Sequence, residues 1–206
     1  MQRTIAYIDG FNLYYGLKQK RWRRYYWLNV QRLMQELLKP QQHLVGTKYF
    51  TSRISSTPSD PHKHKRQGTY LEALQTLPDL RIFYGHYLQK PVRCRQCGSR
   101  WRVHDEKMTD VNIAVELMVD AFQDAFDTAL LISGDSDLVG PVRAVTRLFP
   151  GKRVVVGFPP ARFSRDLQRA ASAYLVIHRR SLAASLLPNE VPKPDGYVLR
   201  KPSRWT

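Results

Sequence analysis

Ile5-Ala6-Tyr7-Ile8 is a short apolar run of strand formers that stops at Asp9-Gly10, as a buried strand does on reaching a loop. Strand one therefore delivers a carboxylate at its C-terminal end. Asn29 can cap a helix that carries Val30, Leu33, Met34, Leu37 and Leu38 on one face, with Pro40 beyond its end. Further strands are predicted at about 46–54, 80–88, 128–133, 153–158 and 174–177, with helical patterns between most of them. That alternation predicts an α/β fold, a parallel sheet with helices on both faces.

Three stretches break the pattern. Residues 55–68 are polar, basic and turn-rich, and read as a loop leading into a helix at about 70–77. Residues 89–105 interrupt the core pattern with Arg, Cys and Trp, as a basic Cys-containing insertion. From about 188 onward, prolines and few apolar residues predict a tail that lies over the surface or is disordered. The expected organisation is one domain over 1–180, then a helix turn and Pro-rich tail over 181–206.

Directions around the helix predicted at 109–125 follow from about 100° per residue. Ile113, Ala114, Leu117, Met118, Ala121, Phe122 and Ala125 fall on one face together with Asp110, whereas Asn112, Glu116, Asp120 and Gln123 lie opposite. Asp110 thus points with the core-facing side. A first-turn acid favoured by the helix dipole after a Thr109 cap is the plain alternative. Next, Ala129-Leu130-Leu131-Ile132 is a continuous apolar strand that runs into Ser133-Gly134-Asp135-Ser136-Asp137. Asp137 also suits a cap for the helix that follows.

Asp9, Asp110, Asp135 and Asp137 would repel one another at one sheet edge unless protonated or neutralised by a cation. Mg²⁺ or Mn²⁺ accepts oxygen ligands, keeps several waters and bridges substrate phosphates, so metal-assisted phosphodiester hydrolysis is the chemistry expected of this set. Thirty-three Lys and Arg against seventeen Asp and Glu, a net charge of +16, favour a phosphate-bearing polymer as partner. No apolar run is long enough to span a bilayer and no signal peptide is evident, so no membrane is expected and the cytoplasm is the expected compartment. Self-association is left open.

The segments YIDGFNLYYG, EKMTDVNIAVEL and LLISGDSDLVGPV, in this order, resemble the NYN domain group of the PIN-like ribonucleases, which includes the LabA-like proteins. The similarity extends from about Ile5 to Ile177. It implies a three-layer α/β/α sandwich with a mostly parallel sheet in order 3-2-1-4-5, with Asp9 and Asp135 on neighbouring strands. It also implies metal binding by Asp9, Asp110, Asp135 and Asp137, with Asn12 orienting a ligand or phosphate and Lys107 facing a substrate phosphate or solvent. The implied reaction is endoribonuclease chemistry, with attack of a metal-activated water on phosphorus that leaves a 3′-hydroxyl and a 5′-phosphate. A non-catalytic RNA-binding adaptor and an oxidoreductase or hydroxylase of a small aromatic ring are the competing readings, since fold does not fix function.

His86, Cys94, Cys97 and His104 form H-x7-C-x2-C-x6-H, a candidate structural Zn²⁺ set, although one Cys-x2-Cys pair is only half of the usual site. Reduced, partly exposed thiols are the alternative. Lys18, Lys20, Arg21, Trp22, Arg23 and Arg24 join cations to rings just after the Asp9 loop, the combination that meets phosphates and stacks unpaired bases. A second cluster, Arg93, Arg95, Arg100, Trp101 and Arg102, surrounds the cysteines. Single-stranded RNA is the partner these clusters suggest. Packing of Trp22 and Trp27 beneath the loop, with the charges solvated, is the alternative.

Overall fold

The computed structural model describes residues 1–94 and 96–205, without the side chains of residues 86–92 and 101–107. β1 (Gln2–Asp9) turns straight into α1 (Gly10–Gln19), and one 3-10 turn at Arg23–Tyr26 leads to α2 (Val30–Leu37). β2 (Gln42–Thr51), α3 (Lys63–Gln75) and β3 (Leu80–Tyr84) follow. An antiparallel ribbon of β4 (His86–Arg93) and β5 (Arg100–Lys107) then enters α4 (Thr109–Phe122). The second half alternates β6 (Thr128–Ile132), α5 (Val139–Leu148), β7 (Arg153–Phe158), α6 (Arg165–Ala170) and β8 (Ala173–Val176). α7 (Arg179–Ala184) and a hairpin of β9 (Glu190–Pro192) and β10 (Val198–Arg200) complete the chain.

The central sheet runs β3-β2-β1-β6-β7-β8, and each neighbouring pair is parallel. Counted along the parallel strands this is 3-2-1-4-5-6, the expected order with one more strand at the edge. Alternation in the strands separates two cores. Ala6, Ile8, Tyr49, Leu130 and Ile132 pack with α1, α2 and α3 on one face; Tyr7, Phe50, Leu131, Val154 and Val156 pack with α4, α5 and α6 on the other. The result is a three-layer sandwich. The chain reverses its direction of travel across the sheet between β1 and β6, which opens the crevice where such folds place ligands.

Several boundaries differ from the sequence pattern for local reasons. The strand expected at 80–88 breaks at Gly85, whose N–H bonds to Thr51 O as β2 ends, and the chain then leaves the sheet as the ribbon. α3 begins at Lys63, inside the expected loop, where the Gln67 carboxamide ties its first turns to Ser52 and Ile54. α4 is rotated from the expected facing: Phe122 is 81% exposed, while Asp120 is buried. The cause lies on β1 and β2, where Tyr7 Oη donates to Asp120 at 2.5 Å and Lys48 Nζ reaches Asp120 at 2.6 Å and Glu116 at 2.7 Å. A buried lysine thus pulls the acidic face of the helix inward, and Val111, Val115 and Val119 are left at the surface.

The C-terminal segment is ordered against the domain. Trp27 donates its indole N–H to Pro188 O at 2.7 Å, and Trp205 packs among Tyr26, Trp27 and Tyr70. Among the described residues no helix is long and apolar enough to cross a membrane.

Candidate active site at the strand-order reversal

Asp9 is the last residue of β1 and the N-cap of α1, with Oδ1 accepting the Asn12 N–H at 2.9 Å. This cap lets the strand pass into a helix without a loop. Gly10 follows because Tyr49 leaves no room for a side chain: a Cβ there would stand 2.6 Å from the phenol oxygen. Across the crevice, the buried Ser133 hydroxyl donates to Asp9 Oδ2 at 2.9 Å and accepts the Asp135 N–H at 3.1 Å. Ser133 therefore couples the two strand-end acids. Asn12 Oδ1 accepts the Gly134 N–H at 3.0 Å, which turns its Nδ2 donor away from that bond and holds α1 to the β6 end.

Asp9, Asn12, Asp110 and Asp135 line one cleft of ≈ 210 Å³, together with Phe11, Tyr15, Met108, Thr109 and Arg162. Three of the four expected acids are thus brought to one opening, from β1, α4 and the end of β6. Asp137 is exposed and does not line it. The expected cap role belongs instead to Asp135, whose Oδ1 accepts the Asp137 N–H at 3.0 Å. Asp137 still acts on the cleft through space. The Asp110 carboxyl is pushed above the usual carboxylate range by burial first, then by the charges of Asp135 and Asp137.

That upward shift fixes the sign of a pH effect. A carboxyl whose folded value is raised costs no stability below its unfolded value and costs progressively more as pH rises through the folded one. Asp110→Asn is therefore expected to raise the melting temperature of the metal-free protein at pH 7, by on the order of 2 °C, with the gain vanishing at about pH 3 to 4. Differential scanning calorimetry across that range checks it; a lower melting temperature at pH 7 would show that the ionised carboxylate is stabilised where it stands.

Carboxylate and carboxamide oxygens are donors of the kind a divalent cation accepts. Among the described residues no three acids, histidines or cysteines form a preassembled cage. Mg²⁺ and Mn²⁺ do not require one, because they keep several waters and are held by one or two carboxylates plus substrate phosphates. The mutual repulsion felt by Asp110 is the charge that such an ion would neutralise.

Two residues of the site gave no signal that set them apart in the sequence. Ser133 stands in a loop-like string, and Arg162 is one of thirty-three cationic residues. Arg162 is singled out by packing. A Cβ on Gly16 would lie 2.3 Å from Pro160 O and 3.2 Å from Arg162 Cγ, and one on Gly134 would lie 2.9 Å from Arg162 Cβ. Both glycines make room for the loop that carries this arginine into the cleft. Its Nε is buried and finds no hydrogen-bond partner among the described residues.

The remaining expected residues are dispersed. Lys18, Lys20, Arg21, Arg23 and Arg24 are exposed, whereas the Trp22 ring is taken up by Tyr25 and by Arg179 at 5.6 Å, and Trp27 is core. Arg93 and Arg100 are exposed at the ribbon's tip. Arg95 lies outside the described residues, as do the side chains of His86, Trp101, Arg102, His104 and Lys107. At the tip, Cys97 Sγ lies 3.0 Å from Ser99 Oγ, and hydrogen bonds from Ser99 and then Cys94 lower its thiol to about 7. The ribbon's register sets His104 opposite Gln89 and His86 opposite Lys107, whereas the pair nearest the cysteine turn is Arg93 with Arg100. At about 3.4 Å per residue, both histidine backbones stand more than about 10 Å from that turn. The two thiols supply half of a tetrahedral set.

A family model, the NYN domain, matches residues 3–178, and the chain belongs to that family. The fold agrees with the resemblance carried by the three sequence motifs. Among curated proteins, the chain is similar to 6-hydroxy-3-succinoylpyridine 3-monooxygenase HspA of Pseudomonas putida (strain DSM 28022 / S16), at 27% identity over 98% of this chain and 75% of that protein. Among solved structures, it is similar to VPA0982 of Vibrio parahaemolyticus RIMD 2210633, a protein of unknown function. That likeness has a TM-score of 0.59 at 19% identity and covers 90% of this chain and 96% of the other, which shows the shared fold.

Proposed function

We propose that this protein is a divalent-metal-dependent endoribonuclease that hydrolyses single-stranded RNA at the Asp9, Asp110 and Asp135 cleft. The observation that carries the reading is the convergence of three carboxylates from three separate elements, with the ionised form of Asp110 opposed by the charges of Asp135 and Asp137. Family membership and the net charge of +16 agree with it.

A Mg²⁺ or Mn²⁺ ion held by Asp9, Asp110 and Asp135 would supply neutralising charge and a bound water of lowered pKa. The chain's own residues do the rest. Ser133 and the Asn12 N–H hold Asp9 in one orientation, so its carboxylate needs little rearrangement when the cleft fills. Asn12 Nδ2 offers a donor to a phosphate oxygen. Arg162 places a cation where negative charge accumulates on the pentavalent phosphorus and the departing oxygen. The exposed cations from Lys18 to Arg24 lie in the last turn of α1 and just after it, and draw the backbone toward the cleft.

Arg162→Gln is expected to lower the single-turnover cleavage rate about 10²-fold, by analogy with loss of one transition-state donor. Mn²⁺ affinity should stay the same or tighten, because a cation leaves an acidic cleft. An unchanged rate, read beside a calorimetric Mn²⁺ titration, removes Arg162 from the machinery.

A second reading rests on the relative named as a monooxygenase: hydroxylation of a heteroaromatic ring. The two separate in one set of assays. Purified protein is given unstructured RNA with Mn²⁺ or with EDTA, and separately 6-hydroxy-3-succinoylpyridine with dioxygen and a two-electron donor. Cleavage in Mn²⁺ alone supports the ribonuclease, whereas ring hydroxylation with intact RNA supports the second reading.

A further inference from the structure

Phe11 and Tyr15 line the acidic cleft and also a second cavity of ≈ 80 Å³ beside it. At roughly 10–15 Å³ for each water-sized sphere, that space takes several waters and has no room for a base pair. Rings run without interruption from the cleft into its wall. Phe11 stacks on Tyr15 at 6.1 Å, Tyr15 meets Tyr14 at 5.3 Å, Tyr14 meets Tyr26 at 4.9 Å and Tyr26 meets Trp205 at 5.8 Å.

A void left by core packing would need no cations, yet Lys63 and Arg66 line this one. Arg66 pairs with Asp60, which Arg204 also approaches at 3.1 Å, so a single carboxylate serves two guanidinium groups. The Lys63 ammonium is disfavoured by burial first and then by the charge of Lys18; Asp60 favours it and Arg66 opposes it. An aromatic wall beside under-neutralised cations matches the two halves of a nucleotide, a planar base and its phosphate.

We infer that this cavity receives one unpaired nucleobase of the strand whose phosphate lies at Asp9, Asp110 and Asp135, an assignment that rests on the ribonuclease reading. The base stacks among Tyr14, Tyr26 and Trp205, and its flanking phosphate meets Lys63 and Arg66. Recognition is by ring and charge, so it favours single strands over duplexes.

The test uses a fluorescent uridine hexamer in Ca²⁺, with each position in turn made abasic, and anisotropy to read binding to the full chain. Loss of one particular base is expected to weaken binding about tenfold, and loss of the others less than about twofold. In Tyr14→Leu, and in Ile54→Trp, which puts a ring into the cavity from its own wall, that position dependence should disappear. Equal binding of all abasic strands, or position dependence unaltered in both variants, overturns the inference. So does saturable binding of uridine 5′-monophosphate with no position dependence in the strand, which would assign the cavity to a free nucleotide. Cleavage in Mn²⁺ is scored separately. Intact cleavage without position dependence removes the cavity assignment alone; position dependence without cleavage removes the ribonuclease reading and leaves the base site.

Discussion

Asp135→Asn is expected to reduce Mn²⁺-dependent RNA cleavage by well over about 10²-fold while leaving the fold intact. Even residues that stand behind a metal ligand cost roughly 10- to 100-fold when changed, and Asp135 lines the cleft itself. The substitution is close to isosteric, and an asparagine Oδ1 can still accept the N–H of residue 137, so the 3-10 turn at Ser136–Leu138 keeps its cap. Asp9→Asn should act with similar force. Its carboxylate accepts from both the Asn12 N–H and the Ser133 hydroxyl, and an amide nitrogen on the Ser133 side can no longer accept from that hydroxyl. The double variant should lose little more than the worse single one, because groups that hold one ion act as a unit. Single-turnover rates for the three variants, with circular dichroism to monitor folding, decide the matter. Retention of more than about half the rate in either single variant would contradict the site.

Lys48→Met should unfold the domain more readily than any change in the cleft. Lys48 Nζ stands 2.7 Å from Glu116 and 2.6 Å from Asp120, and the side chains of Lys48 and Asp120 are each only 9% exposed. Removing the cation strands a carboxylate in the core beneath α4, a loss of about 3–5 kcal/mol. For a chain of this size that is roughly 10 °C in melting temperature. Converting the network as a whole, with Tyr7→Phe, Lys48→Met, Glu116→Gln and Asp120→Leu together, should recover most of it, since well-packed apolar groups replace buried ion pairs at little cost. Thermal melts of both proteins test this. A Lys48→Met melting temperature within about 2 °C of the parent would contradict the network's role.

Much of the candidate site is legible in the sequence because its acids sit where the pattern changes abruptly. Asp9 and Asp135 follow apolar strands, and parallel pairing of β1 with β6 brings those ends together. Asp110 followed from helical spacing, although the same spacing misplaced Asp120 and Phe122. Periodicity ranks residues by polarity and carries no information about a lysine on another strand that neutralises two acids of the helix. Arg162 and Ser133 were hidden for a related reason: what distinguishes them is who packs on them, Gly16 and Gly134 for one and Asp9 for the other. By composition the tail either lies over the surface or is disordered, and its packing on the domain decides for the first. One residue, Trp205, anchors its end by closing the aromatic cavity formed by Tyr26 and Tyr70.

Hydrolysis of RNA by water activated at the acidic cleft is tested by running the cleavage in ¹⁸O-labelled water with Mn²⁺ and analysing the fragment ends by mass spectrometry. The expected products are 3′-hydroxyl ends and 5′-phosphate ends carrying one solvent ¹⁸O, with none formed in EDTA or by Asp135→Asn. RNA left intact at every Mn²⁺ concentration, or fragments ending in 2′,3′-cyclic phosphate without ¹⁸O, would contradict it.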